Sequence, residues 1–349
     1  MEYKPLYGVW ELTLRCNAHC LHCGSSADKK TREELTLERC LRLTEELAEL
    51  GNERMILSGG EPLLRKEWYE IGKALREKGI ETGIITNGSL VEKNLDKLCE
   101  LGLFAIGFSV DGEEETHDMI RGVEGLHKKV FSAIRELKNR EQAVSIVTSV
   151  SKYNINELEK IRNRLYAYKV DAWQLQVASP FGNMCEHGDK VIDKDEYLEL
   201  ANFIVETRDL MMPHVNVQAA DCIGYYDSYE YLLRDAPWQG CQAGMQVIGI
   251  EANGNIKGCL SLMWPQYVEG NVKEKSLKEI WNNPDGFAYN RKFSVEQLQG
   301  KCNGCEHGER CRGGCTNNSY AFSGKEHGSP YCLHMMEKAE ELVGAENCL

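Results

Sequence analysis

Residues 15–24, RCNAHCLHCG, set Cys16, Cys20 and Cys23 in a C-x3-C-x2-C pattern directly after the apolar run VWELTL. Three thiols this close in one polar loop are poor candidates for unrelated core residues and good ones for metal ligands. Two chemistries compete. Zinc needs a fourth ligand, which His19 or His22 would supply. A four-iron cluster takes the three thiolates and leaves one iron open to a small molecule. Further on, LSGGEP (residues 57–62) offers a compatible partner site. Gly59 and Gly60 let backbone carbonyls approach an ammonium group closely, and Glu61 can help neutralise it.

A second group of thiols lies near the other end. CNGCEHGERCRGGC spaces Cys302, Cys305, Cys311 and Cys315, and Cys332 follows. Cys241 and Cys259 bracket a segment whose Asn-Gly step, in EANGNIKGC, predicts a hairpin between extended flanks. Structural zinc competes with iron for these seven as well. The chain has 15 cysteines, no run of 18 apolar residues and no basic-then-apolar start. A cytoplasmic, reducing location is therefore expected, where thiols serve as ligands or buried side chains rather than as a disulfide framework. A net charge of -13 argues against nucleic acid as the main partner, and no membrane partner is expected.

These residues fall at the ends of predicted strands. Strands are expected at Val9–Leu14, Arg54–Leu57, Gly83–Thr86, Ala105–Ser109, Val144–Ser149 and Ala172–Val177, with helical periods between them. In the first helix the expected apolar stripe is Leu37, Cys40, Leu41, Thr44, Leu47 and Ala48. A βαβα series with short loops implies a parallel sheet covered by helices. Six units suggest a partial barrel, and a helix from about Asp195 to Met211 closes the series. Ligands in such folds sit at the carboxyl ends of the strands, where the cysteine loop, Gly59–Glu61, Thr86–Gly88 and Ser109–Asp111 fall. Residues 212–240 form a Tyr-rich acidic bridge. Residues 241–335 lack long periodic segments, as expected of a unit organised around metal.

The cysteine loop with LSGGEP, ITNGS (residues 85–89) and SVDG (residues 109–112) resembles the radical S-adenosylmethionine superfamily. The later cysteines resemble its SPASM extension. The resemblance implies an α/β fold, a partial (β/α)6 barrel over residues 1–211. A bridge at 212–240, a cysteine-rich domain at 241–335 holding two iron–sulfur clusters, and a tail at 336–349 would follow. It implies S-adenosylmethionine and three [4Fe-4S] clusters as cofactors. Cys16, Cys20 and Cys23 would ligate the first. Cys302, Cys305, Cys311 and Cys332 would ligate an outer auxiliary cluster, and Cys241, Cys259 and Cys315 an inner one. That inner set is one ligand short: either an iron is open, or Asp235 or Cys222 reaches it. Gly59, Gly60, Glu61, Pro62, Thr86, Asn87 and Ser109 would bind S-adenosylmethionine. Gln174 and Gln176 would contact the cofactor or satisfy interior polar groups. Asp111 would cap a turn or line the cavity, and Arg121 would meet a carboxylate or lie on the surface. Where the family commonly has an aromatic residue before the third cysteine, His22 stands, expected as ring packing. Cys222, with Cys185, lies where a lid would close. It would donate a hydrogen atom to a substrate radical, serve as a ligand, or do neither.

The expected activity is formation of a 5′-deoxyadenosyl radical and abstraction of a substrate C–H hydrogen. The leading expectation is oxidative crosslinking of a ribosomally made precursor peptide. A small molecule, such as a sugar or cofactor precursor, is the alternative; a non-catalytic electron carrier is the third reading. An external donor such as flavodoxin or ferredoxin and a separate leader-recognition protein are the further expected partners.

Overall fold

A computed structural model describes residues 3–337 apart from 28, 30–32, 227 and 229. Most of the expected tail, with Cys348, lies outside the described residues. Six parallel strands follow the expected series: β1 (Tyr7–Glu11), β2 (Arg54–Ser58), β3 (Glu81–Thr86), β4 (Ile106–Ser109), β5 (Val144–Val150) and β6 (Ala172–Val177). The helices between and after them are α1 (Leu37–Glu49), α2 (Trp68–Glu77), α3 (Val91–Glu100), α4 (Glu114–Arg121), α5 (Leu126–Asn139), α6 (Leu158–Ala167) and α7 (Lys194–Met211).

Alternation along each strand divides the molecule into two faces. Trp10, Leu57, Ile84, Ile146, Trp173 and Leu175 are all but fully buried in the main core. The opposite face supplies Val9, Glu11, Ser58, Ile85, Ser109, Val147, Ser149, Gln174 and Gln176 to one cavity. Local signals fix the helix ends. Thr36 accepts the amide of Arg39 at the start of α1, and Asp193 with Glu196 forms a capping box on α7. The buried stripe of α1 is Cys40, Leu43, Thr44 and Leu47, so Leu41, expected inside, is 38% exposed. The helix lies on the sheet slightly rotated from that expectation.

Two extensions change the picture of a six-strand barrel with an appendage. The bridge contributes a short strand, β7 (Asn216–Ala219), parallel to β6. The expected hairpin forms as β8 (Val247–Ile250) and β9 (Asn255–Lys257), but β8 pairs in parallel with β1, Trp10 opposite Ile250. With β10 (Gly270–Asn271) the result is one open ten-stranded sheet, β10-β9-β8-β1-β2-β3-β4-β5-β6-β7. The thiol-rich region therefore continues the first sheet. Among the described residues no helix is long and apolar enough to cross a membrane.

Candidate active site

The loop 15–24 leaves β1 and is held from both sides. The last carbonyls of α4 accept its amides: Arg121 O takes His19 N at 2.9 Å and Ile120 O takes Leu21 N at 2.9 Å. Helix C-terminal carbonyls need such partners. On the other side, Asn183 donates its amide to Cys23 O at 2.9 Å and its side-chain Nδ2 to Cys20 O at 3.0 Å. So fixed, Cys16, Cys20 and Cys23 all line one cavity of about 440 Å³. Burial pushes the Cys16 thiol up to about 11, and the charges of Cys20, Glu61 and Cys23 push the same way. Mutual repulsion among converging thiolates is what a bound cation relieves. The donor set fits an iron–sulfur cluster with three protein sulfurs.

Arg121 and Asp111 stand behind this loop. Both are buried and form an ion pair, with Asp111 also accepting the Ser149 amide at 2.9 Å. Asp111 is therefore neither a cap nor a cavity-lining group. Despite its desolvation, the charge of Arg121 helps hold its carboxyl below the usual range. Arg121 meets a carboxylate belonging to the protein and turns Nη1 toward Cys20 Sγ at 3.7 Å. Burial raises the Cys20 thiol, and Arg121 opposes that. His22 lines the cavity 3.7 Å from Asp111, and burial lowers it to about 4, so its ring is neutral.

The glycine turn is packed against the first strand's exit. A Cβ on Gly59 would lie 2.5 Å from Thr13 O, and one on Gly60 2.5 Å from Arg15 O and 2.6 Å from Leu14 O. Pro62 starts a buried turn at Pro62–Leu64 and does not line the cavity. Glu61 is wholly buried and accepts Leu63 N at 3.1 Å, Thr86 Oγ1 at 2.8 Å and Asn87 N at 2.8 Å. It clamps the second and third strand ends together. Burial nonetheless raises it to about 7. Asn87 donates Nδ2 to Asn17 Oδ1 at 2.9 Å, tying ITNGS to the cysteine loop, while Thr86, Asn87 and Ser109 all reach the cavity. These groups fit S-adenosylmethionine: bare backbone, hydroxyls and amides beside the thiols.

Gln174 and Gln176 do face this cavity, the latter donating Nε2 to Ser149 Oγ at 2.8 Å. Cys222 and Cys185 are not among the lining residues. Cys222 Sγ accepts the amide of Val177 at 3.3 Å, and Cys185 is exposed beside Pro180 O. A hydrogen-donor role for Cys222 thus lacks access to the cavity.

The auxiliary thiols sort into two groups. Cys302, Cys305, Cys311 and Cys332 line one small void. Burial pushes Cys311 up to about 12, and its three partners' charges add to that. Burial also raises Cys315, as does the charge of Cys241. It pushes Cys259 up to about 11, again with Cys241 adding. Cys241, Cys259 and Cys315 are therefore neighbours, packed in one cluster with Tyr225. Asp235 does not join them; it is exposed and bound to Arg208 at 2.8 Å. Sequence reasoning missed that Cys259, Leu260, Ser261 and Met263 line the same cavity as the first cysteine loop, together with Phe181. The position of ASPFGN just past the sixth strand was a usable signal for Phe181; nothing local signals the 259–263 loop.

Comparison with known proteins agrees with this arrangement. The Radical SAM superfamily matches residues 10–165, and the SPASM iron–sulfur cluster-binding domain matches residues 241–306. The chain is 30% identical to the AdoMet-dependent heme synthase of Methanosarcina barkeri, over 96% of this chain and 98% of that protein. It is 27% identical to the PqqA peptide cyclase of Granulibacter bethesdensis, over 97% and 91%. Its fold superposes on Streptococcus suis SuiB bound to S-adenosylmethionine with TM-score 0.74 at 17% identity, covering 90% of this chain and 74% of that one. The chain belongs to the radical S-adenosylmethionine superfamily and is a radical S-adenosylmethionine enzyme with a SPASM iron–sulfur domain.

Proposed function

We propose that the protein oxidises a C–H position of a ribosomally made precursor peptide, forming a crosslink, and that the residues assigned above to clusters and cofactor take those roles. When bound, the first cluster and S-adenosylmethionine supply an adenosyl radical that removes a hydrogen atom from a substrate carbon. The chain's own task is positional. Cys16, Cys20 and Cys23 hold the iron, the turn at Gly59–Gly60 receives the cofactor's ammonium group, and Gln174 and Gln176 present amides to the cofactor from the sixth strand. Phe181, Leu260 and Met263 give the cavity apolar wall beside the cysteine loop, and a bound substrate would complete the exclusion of water.

One observation carries the oxidative reading: the radical site and the Cys259 loop share a single cavity. Cys259, with Cys241 and Cys315, would hold an auxiliary cluster, which would supply an acceptor for the electron left on the substrate. Two hydrogens would then leave the substrate, one as an atom and one as a proton, and an external flavodoxin or ferredoxin would take the electron from the auxiliary cluster and supply the next one to the first. The lining also bears on the substrate. Arg121 is the one Lys or Arg side chain among the described lining residues, and Asp111 neutralises it. Hydroxyls and amides supply most of the remaining polarity, which suits peptide groups better than a multiply carboxylated macrocycle. The peptide-cyclising relative supports this reading. The second reading, a tetrapyrrole cofactor precursor, is favoured by the near full-length likeness to a heme synthase.

The test incubates anaerobically reconstituted protein, reductant and S-adenosylmethionine with a short peptide encoded beside its gene, or with an iron coproporphyrin. The peptide reading expects a peptide product lighter by two hydrogens. An unchanged peptide with altered porphyrin absorption contradicts it.

A further inference from the structure

We propose that Arg121 tunes the first iron–sulfur cluster, its buried guanidinium donating a hydrogen bond to the Cys20 sulfur and so favouring the reduced state. The inference rests on the reading that Cys16, Cys20 and Cys23 hold an iron cluster. Reduction adds one negative charge to a group already bound by thiolates. Hydrogen bonds to the sulfurs and the net charge around them set how readily that happens.

Each sulfur of the loop has a donor. Asn87 Nδ2 lies 3.9 Å from Cys16 Sγ, the Ala27 amide 3.4 Å from Cys23 Sγ and Arg121 Nη1 3.7 Å from Cys20 Sγ. The first two are neutral and the third is a cation. Arg121 is only 8% exposed, so water and salt screen that charge little.

The fold gives the guanidinium little freedom. Arg121 ends α4 and its carbonyl takes His19 N at 2.9 Å, so helix end and cysteine loop are joined. Gly122 follows at φ 65°, and a Cβ there would lie 2.9 Å from His19 O. Behind the guanidinium, Asp111 is fixed by backbone and side chain alike. Its carbonyl accepts Asn154 Nδ2 at 2.9 Å, and its Oδ1 accepts the Ser149 amide at 2.9 Å. Nη2 of Arg121 meets this carboxylate while Nη1 meets the sulfur, and Nε has no partner. The guanidinium is thus shared between a carboxylate and a thiolate. The Arg121–Asp111 pair is neutral as a whole and offers a substrate no net charge, yet its positive end lies on Cys20. Arg121 acts through that cysteine rather than on the substrate, so it is a positioning residue whose mark is a potential.

The experiment titrates the reduced signal of the first cluster by electron paramagnetic resonance, in the anaerobically reconstituted full chain without S-adenosylmethionine. That signal is identified by its absence from Cys20→Ser. The proposal expects Arg121→Met to cut the reduced-to-oxidised ratio at a fixed potential about tenfold, a midpoint drop of about 59 mV for one electron. Arg121→Lys keeps the charge and should recover part of that drop. Asp111→Asn removes the opposing charge and should raise the midpoint. The double variant Arg121→Met with Asp111→Asn strands no charge and should lie below Asp111→Asn, which preserves the comparison if Arg121→Met loses its iron. A midpoint in Arg121→Met at or above that of the wild type overturns the proposal. So do shifts of the same sign in Arg121→Met and Asp111→Asn, as a merely structural pair would give, or a double variant level with Asp111→Asn. If Cys20→Ser shows every signal of the wild type, the first loop holds no cluster and the underlying reading fails with the proposal.

Discussion

Arg121 and Asp111 leave water together, and neither can do so alone at small cost. Breaking a buried pair by removing one partner costs about 3–5 kcal/mol, because the other charge is stranded. Arg121→Met should lower urea stability by that order, and Arg121→Met with Asp111→Asn should recover part of it. Glu61 gives a pH test. Its pKa rises from an ordinary 4.5 to about 7 on burial. A raised acid contributes stability that is complete below 4.5 and lost as pH climbs through 7, here about 3 kcal/mol. His22 and His117, both lowered to about 4, act oppositely: their contribution is full above 6.5 and lost as pH falls through 4. The readout is therefore the difference between wild type and Glu61→Gln. The wild type should lose stability relative to Glu61→Gln as pH rises from 5 to 8, and parallel curves would contradict the assignment. Gly60→Ala should weaken S-adenosylmethionine binding in equilibrium dialysis about tenfold or more, since its Cβ meets backbone that no rotamer change can move. At this scale the cysteines and the glycine turn were legible as a metal loop beside a tight turn, with iron preferred to zinc only through the family resemblance. The Arg121–Asp111 pairing was not, because two roles with different partners use the same residue types.

At the scale of elements, period and turn chemistry located the six parallel strands and the intervening helices to within a few residues, except α4, the short helix that holds the cysteine loop. Their alternation correctly put Gln174 and Gln176 on one face and Trp173 and Leu175 on the other. The pairing of β8 with β1 was not legible, since no local pattern names a partner so distant along the chain. That pairing delivers the Cys259 loop to the cavity through a close contact. A Cβ on Gly249 would lie 2.6 Å from Leu260 N and 2.8 Å from Cys259 C. Gly249→Ala should therefore displace the loop and lower iron content by about one cluster while Cys16, Cys20 and Cys23 keep theirs. Unchanged iron in that variant would show that the loop tolerates movement.

For the whole molecule, one continuous sheet explains how the first cysteine loop and Cys259 come to line a single cavity. Anaerobic reconstitution should give about twelve irons per chain if all three thiol groups fill. The central claim is narrower: Cys16, Cys20 and Cys23 hold an iron cluster that reduces S-adenosylmethionine. Its most direct test is 5′-deoxyadenosine formation by the reduced protein, compared with Cys20→Ser. The account predicts product from the wild type and none from Cys20→Ser, with auxiliary iron retained in the variant. Undiminished 5′-deoxyadenosine from Cys20→Ser would contradict it.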